Sequence, residues 1–515
     1  MLFNSYVFIF AFLPITLLIY HILGKSGLRN MTLGWLVAAS LFFYGWWNPA
    51  YLGFILISIM FNYALGISLS KDGKGRRQIL WFGVSANMLA LCYFKYANFI
   101  VDNMNLFAHG TIELGDIALP LAISFFTFQQ ITYLVDAYRG QTKQYSFVHY
   151  CLFVTFFPQL IAGPIVHHSE MLPQFVHKRR FTIKAEHLAI GLSIFIIGLF
   201  KKVVIADDIA LYATNVFSAA GAGQDITFFE AWGGALAYTF QLYFDFSGYS
   251  DMAIGLARMF GIILPLNFNS PYKAQSLKDF WRRWHITLSR FLRDYVYIPL
   301  GGNRKGIARK DFNLLFTMFL GGLWHGAGWT FVIWGAVHGA YLVVENTVGR
   351  LTKAWGWNMD KTPFMHLWIG RLITFVFVVA AWVIFRAESL DVAAVVYQGM
   401  LGRSGISLPS ELRMLAPILE PYNVKFDGFP IYGGNWGMLK LVALLCIVWF
   451  VPNTYQVMKR YKPALVEKNY VTRELETPIR LQWRLHVAWG LFIAVLAVLS
   501  IMNLSRISEF LYFQF

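Results

Sequence analysis

The chain has 515 residues, of which 57% are hydrophobic, 18% aromatic and only 14% charged. A soluble domain carries about 25% charged residues, so this composition excludes an ordinary water-soluble enzyme and points to an all-α polytopic membrane protein. The formal net charge of +16 does not argue for nucleic-acid binding, because the basic residues cluster in short loops between apolar runs, as cytoplasmic loops do.

A spanning helix needs ~20 mostly apolar residues, and roughly ten to twelve such runs can be counted. Some are broken in a way that suggests re-entrant segments, and no soluble domain interrupts them, so residues 1–515 read as a single integral-membrane domain. The first run, residues 6–23, lacks a preceding basic stretch and a following small-x-small cleavage site, and is read as a retained span. Lys25 and Arg29 follow it, and Lys71, Lys74, Arg76 and Arg77 follow the third run. The loop 102–116 has Glu113 and no Lys or Arg, and Arg139 and Lys143 come after the next run. This alternation places the N-terminus outside, residues 71–77 in the cytoplasm and residues 102–116 outside. Cys92, Cys151 and Cys446 all lie in apolar runs, with neither a disulfide framework nor a zinc spacing, and are expected to be buried packing residues.

Residues 151–175 read CLFVTFFPQLIAGPIVHHSEMLPQF. Pro158, Gly163 and Pro164 break a helix at membrane depth, which is tolerated only inside protein or along a cavity. His167 and His168 at its end are expected at the headgroup level, followed by the basic group His177, Lys178, Arg179 and Arg180. Residues 186–205 form a span ending in Lys201-Lys202. Residues 231–259 form a long apolar helix interrupted by YFDFSGYSDMAIG. Asp245 and Asp251 in it lie about 120° apart on an ideal helix and do not make an acid/base couple. Each is expected to accept hydrogen bonds that fix helix packing, with Asp251 retained as a candidate substrate contact on the wall of a cavity.

The segment 278–297 is amphipathic. Phe280, Trp284, Leu288, Phe291 and Tyr295 share one stripe at ~100° per residue, and Arg282, Arg283, Arg290 and Arg293 fall opposite. It reads as a helix in the interface plane, with His285 at the edge of the stripe; on pattern alone, an interfacial histidine without chemistry is the commoner case. Residues 312–344 then cross the membrane. Gly321, Gly322, Gly326 and Gly328 flank Trp324-His325 and allow close approach of backbone or substrate. His338 lies about 220° round an ideal helix from His325, so the two share a face only if the glycines break the helix. Further spans are expected near 366–385, 437–452 and 485–503, an exterior loop over 386–434, and a basic cytoplasmic stretch over 459–484 that leaves the terminal EFLYFQF outside.

No P-loop, GxGxxG, GxSxG or HExxH stands in a credible context. The histidines lack metal-ligand spacing, so neither a metal nor a bound cofactor is expected. An ionisable side chain at membrane depth raises a functional hypothesis, and a neutral imidazole can take the proton of a hydroxyl as its oxygen attacks an acyl carbonyl. A buried histidine bonded to a carbonyl would show the same pattern. A flippase for a lipid-linked sugar would also carry broken helices and deep polar groups, but no repeated half with corresponding breaks is found.

The motifs LFNSYVFIFAFLP, SLFFYGWWNPAYL, PQLIAGP, YFDFSGYSDMAIG, FWRRWHITLSRFLRDYVYIPLGGN, GGLWHGAGWTFVIWGAVHG, WVIFRAE and EFLYFQF resemble those of the membrane-bound O-acyltransferase family, in its bacterial alginate O-acetyltransferase branch, over nearly the whole chain. The resemblance implies a helical bundle with re-entrant segments around a central tunnel, in a bacterial inner membrane. It implies His325 of GLWHG as catalytic and His285 of WRRWH as the second functional histidine. It implies acetyl-CoA as the cytoplasmic acyl donor, a periplasmic SGNH-esterase-like partner and an extracellular polysaccharide acceptor such as alginate, with peptidoglycan, cellulose or D-alanylated teichoic acid as the related acceptors. Arg282 and Arg283 could hold the coenzyme A phosphates or anchor to headgroups, and Trp324 beside His325 is a further candidate substrate contact.

Overall fold

The computed structural model describes residues 1–108, 110–115, 117–142, 145–177, 181–356, 363–422, 424–467 and 481–505. Lys143, residues 178–180, half of the expected cytoplasmic stretch 459–484 (residues 468–480) and the terminal EFLYFQF lie outside the described residues. In chain order the helices are α1 (Leu13–Lys25), entered through a π turn at Phe8–Phe12, α2 (Arg29–Gly45), α3 (Ala50–Ser70), α4 (Arg76–Ala108) and α5 (Ile123–Tyr138). Three short helices follow, α6 (Phe147–Thr155), α7 (Phe157–Leu160) and α8 (His168–His177). Next come α9 (Ala185–Phe200), α10 (Asp207–Gly221), α11 (Phe228–Met259), α12 (Leu277–Trp281), α13 (Ile286–Leu292), α14 (Gly306–His325) and α15 (Trp329–Ala354). The chain continues through α16 (Pro363–Arg386), α17 (Leu390–Met400), α18 (Ala416–Leu419), α19 (Asn435–Phe450), α20 (Thr454–Met458) and α21 (Val487–Asn503). The region after Arg386, expected as a loop, holds α17, α18 and a small parallel strand pair, β1 (Ile406–Ser407) with β2 (Val424–Lys425).

Among the described residues, six helices are long and apolar enough to cross a membrane: Phe8–Lys25, Ala50–Ser70, Arg76–Ala108, Ala185–Gly221, Trp329–Ala354 and Leu367–Arg386. The pair Asn435–Phe450 and Thr454–Tyr461 makes a seventh if counted as one span. The other apolar runs form shorter helices, such as the 17-residue α2 and α21, or helices that carry several charges, such as α11.

The described residues group into two compact units, each assembled from separate stretches of chain. The first takes Met1–Phe200, Gly248–Asn267 and Thr454–Leu504. Its broken segment shows how interrupted backbone survives at membrane depth. Residues 150–166 are all buried, and the amide freed at the α6–α7 break, Phe157 N, donates to Ser40 Oγ at 3.1 Å. Gln159 Nε2 donates to Phe153 O at 2.7 Å. A buried amide pair joins α3 to α4, Asn62 and Asn87 exchanging hydrogen bonds of 3.1 and 2.7 Å. His168, expected at the headgroup level, is buried in protein, with Nδ1 3.3 Å from the Asp136 carboxylate. A carboxylate partner makes burial of the imidazole affordable where an isolated one would stay at the surface.

The second unit takes Lys201–Ser247 and Phe268–Asn453. The sequence 231–259 is one unbroken helix, and its polar interruption is resolved by partners. Asp245 meets Lys202 Nζ at 2.7 Å, and the same ammonium meets Asp207 at 2.7 Å. Lys202 is therefore buried inside the unit, and the helix expected to end there continues to Gly221. It sits in a π turn, Lys201–Ala206, whose extra residue redirects the side chain inward. Residues 312–344 likewise depart from a single crossing: they form the antiparallel hairpin of α14 and α15, broken where Gly326 and Gly328 are both extended.

The Lys202 triad yields a test. Lys202→Met leaves two carboxylates buried without their cation, which costs about 3–5 kcal/mol. The thermal midpoint of the purified protein should fall clearly in the single variant and recover when Asp207→Asn and Asp245→Asn are added; equal midpoints for the single and triple variants would show that the three charges are not coupled.

Candidate active site

The site grows from the backbone contact between α14 and α15. A Cβ on Gly322 would lie 2.3 Å from Phe331 O, and one on Gly335 would lie 2.5 Å from Met318 O. Only glycine permits that approach. At this spacing, the end of α14 and the second turn of α15 share one aromatic cluster. His325, the last residue of α14, faces the ring of Trp334 at 5.2 Å, perpendicular to it, and the ring of Phe385 at 5.1 Å. Trp324 packs against it from the other side at 4.9 Å. His325 retains 8% of its surface.

His285 enters from the segment 278–297, which is not the continuous amphipathic helix its periodicity suggested. Ser276 caps α12 by accepting from Asp279 N, and α12 stops after five residues. His285 then takes a left-handed conformation, φ 42° and ψ 54°, and α13 starts afresh. The turn is held by buried polar contacts: Arg283 Nε donates to Asp279 Oδ1 at 2.9 Å, and Asn269 N donates to Arg283 O at 2.9 Å. The imidazole is thereby driven fully inward, against Phe246 at 4.8 Å and Trp324 at 5.7 Å. Burial pushes its pKa down to about 3, so this ring is neutral at working pH.

Of the residues singled out from sequence, His285, Trp324 and His325 are brought together, with the indole between the two imidazoles. The four arginines do not form one charged face. Arg283 and Arg290 are buried, Arg293 pairs with Asp294 at 2.7 Å, and Arg282 is exposed. Asp251 belongs to the first unit, where Thr454 Oγ1 donates to it at 2.6 Å. His338 is brought towards His325 by the helix break, on the far face of Trp334 at 4.7 Å. It is fully buried, and neither ring nitrogen has a hydrogen-bond partner among the described residues. Trp334, Phe385 and Phe246 were not foreseen; each lies in a quoted motif, but only the hairpin and the left-handed turn reveal which way it points.

A bundle of apolar helices that buries two imidazoles in one aromatic cluster is the architecture of a polytopic membrane protein. The comparisons make the class specific. The model of MBOAT, the membrane-bound O-acyltransferase family, matches residues 77–386. The peptidoglycan O-acetyltransferase of Helicobacter pylori is 48% identical over 438 residues, 79% of this chain and 81% of that protein. The probable alginate O-acetylase AlgI of Pseudomonas putida is 40% identical over 525 residues, covering both chains fully. The teichoic acid D-alanyltransferase of Bacillus subtilis is 30% identical over 52% of this chain and 69% of its own. The chain belongs to the membrane-bound O-acyltransferase family. It is a multi-pass membrane acyltransferase.

The left-handed turn at His285 can be tested apart from chemistry. Asn tolerates that conformation, whereas a β-branched residue is an outlier in it and carries a penalty of roughly 1–2 kcal/mol. His285→Val should melt below His285→Asn in thermal denaturation of purified protein; indistinguishable midpoints would mean that the turn relaxes without cost.

Proposed function

We propose that this acyltransferase carries an acetyl group from cytoplasmic acetyl-CoA to hydroxyls of a polysaccharide outside the inner membrane, with His325 as the general base. The observation that carries the reading is the placement of His325: an imidazole at a helix end, gripped on three sides by aromatic rings, partly accessible, and separated from His285 by a single indole. In the reaction, His325 takes the proton of the attacking hydroxyl, the new C–O ester bond forms as the thioester C–S bond breaks, and the coenzyme A thiolate recovers the proton. The aromatic walls limit water, and hence hydrolysis of the donor. His285, fully buried against Trp324, acts on the donor site by positioning that indole beside His325.

The acetyl group and the polysaccharide class are supported by the names of the relatives at 48% and 40% identity. They name two acceptors. An alginate-type exopolysaccharide is the first reading; peptidoglycan is the second, favoured by the higher identity of the Helicobacter pylori protein. An SGNH-esterase-like periplasmic partner would supply the first attacking hydroxyl, and its ester would then pass to a hydroxyl of either polymer, which frees the partner's hydroxyl again. The loop charges support an orientation with both termini on the outer face.

The test is ester-linked acetate on secreted polysaccharide and on peptidoglycan, measured in cells that make wild-type or His325→Ala protein in equal amounts. One polymer should lose its acetate in the variant, and acetyl transfer in isolated membranes should fall at least about a hundredfold, as removal of a general base predicts. Unchanged acetate on both polymers would refute the assignment, and ester-linked D-alanine in place of acetate would move the enzyme to the teichoic-acid class.

A further inference from the structure

Acyl transfer leaves unused a cleft of about 370 Å³ in the first unit, between α9 and α21. That size lies within the ~300–1,000 Å³ of ligand sites. Its walls are Leu192 and Ile196 from the middle of α9 and Gly490, Ile493 and Ala494 from the first half of α21. Its mouth carries Arg484 and His486 beside Trp483 and Trp489. The helix faces around it are exposed and apolar: Leu192, Leu491, Phe492 and Val495 are 45–64% accessible. In a bilayer, such a face meets acyl chains, and an arginine flanked by tryptophans marks the depth of the headgroups.

The mouth is a built feature. Trp483 N donates to Val457 O at 2.9 Å, and its ring packs on Tyr461 at 5.1 Å, which fixes the segment that carries Arg484. His486 Nδ1 is used to cap α21, accepting from Ala488 N at 3.2 Å. Arg484 is exposed and has no carboxylate partner among the described residues. An apolar cleft with a guanidinium at its mouth that meets no carboxylate among the described residues has the polarity of a phospholipid, acyl chain inside and phosphate at the rim.

We propose that this cleft binds one anionic phospholipid, with an acyl chain between α9 and α21 and its phosphate at Arg484. The site is independent of His325 and of which polymer is acetylated. Gly490 offers a probe, since it lines the cleft and a Cβ there meets no atom within 4 Å.

The experiment is native mass spectrometry of the full chain, extracted in mild detergent and exchanged with phosphatidylglycerol or phosphatidylcholine. Wild type should retain one phosphatidylglycerol per chain, preferred over phosphatidylcholine about fivefold, the factor for about 1 kcal/mol from one basic residue. Gly490→Phe should lose that lipid while keeping its thermal midpoint and acyl-transfer activity. Arg484→Gln should keep a lipid but lose the preference. Undiminished lipid in Gly490→Phe, equal retention of both lipids by wild type, or a dimer in wild type that Gly490→Phe abolishes would each overturn the proposal.

Discussion

The backbone contact between α14 and α15 sets the geometry on which the second unit depends. Lipid tails are as apolar as leucine, so two membrane helices gain little from the hydrophobic effect and associate through close packing. Gly322 and Gly335 remove the side chains that would hold the axes apart, and Gly339, one turn further on, extends the seam against Leu315. That seam carries Trp334 towards the end of α14, where it packs on His325 and His338 alike. Trp382 stacks behind Trp334 at 5.5 Å, and Phe385 closes the cluster. The position of the proposed base therefore follows from glycines that carry no chemistry.

The second constraint is that polar groups at depth need partners. The Lys202 triad, the Asn62–Asn87 exchange, the hydrogen bond from Phe157 N to Ser40 and the contact of Thr454 with Asp251 each satisfy a group that hydrocarbon cannot. Without water to compete, an unmatched group costs several kcal/mol, so these contacts decide where helices break and where they continue. Pro158 breaks the chain because Ser40 takes up the amide that the break frees; α11 continues through two aspartates because each finds a donor. The same rule orders the His285 turn, where Arg283 is spent on Asp279 and Asn269 and so is held away from a purely surface role.

Helix content and membrane character were legible in the sequence from composition and run length, and the motifs around Trp284-His285 and Trp324-His325 singled out the two histidines that the structure brings into one aromatic cluster. The lateral partners were not. Lys202 read as the end of a span, and only a π turn and the carboxylates of Asp207 and Asp245 turn it inward. The segment 278–297 kept a helical period across a left-handed residue, since periodicity records which side chains are apolar and is blind to a single reversed φ. Asp251 could be recognised as polar at depth and His168 was read as a headgroup-level residue, but their partners, Thr454 and Asp136, lie 203 and 32 positions away. Pairings at that separation leave no local pattern to read.

The central claim is that the imidazole of His325 stands where the acyl donor can reach it. Chemical modification by diethylpyrocarbonate, mapped residue by residue by mass spectrometry of the purified enzyme, measures this directly. The account predicts that His325 is modified in the free enzyme and protected by a non-hydrolysable acetyl-CoA analogue, while the sealed ring of His338 reacts in neither state. A His325 that stays inert under both conditions, or that reacts equally with and without the analogue, would contradict it.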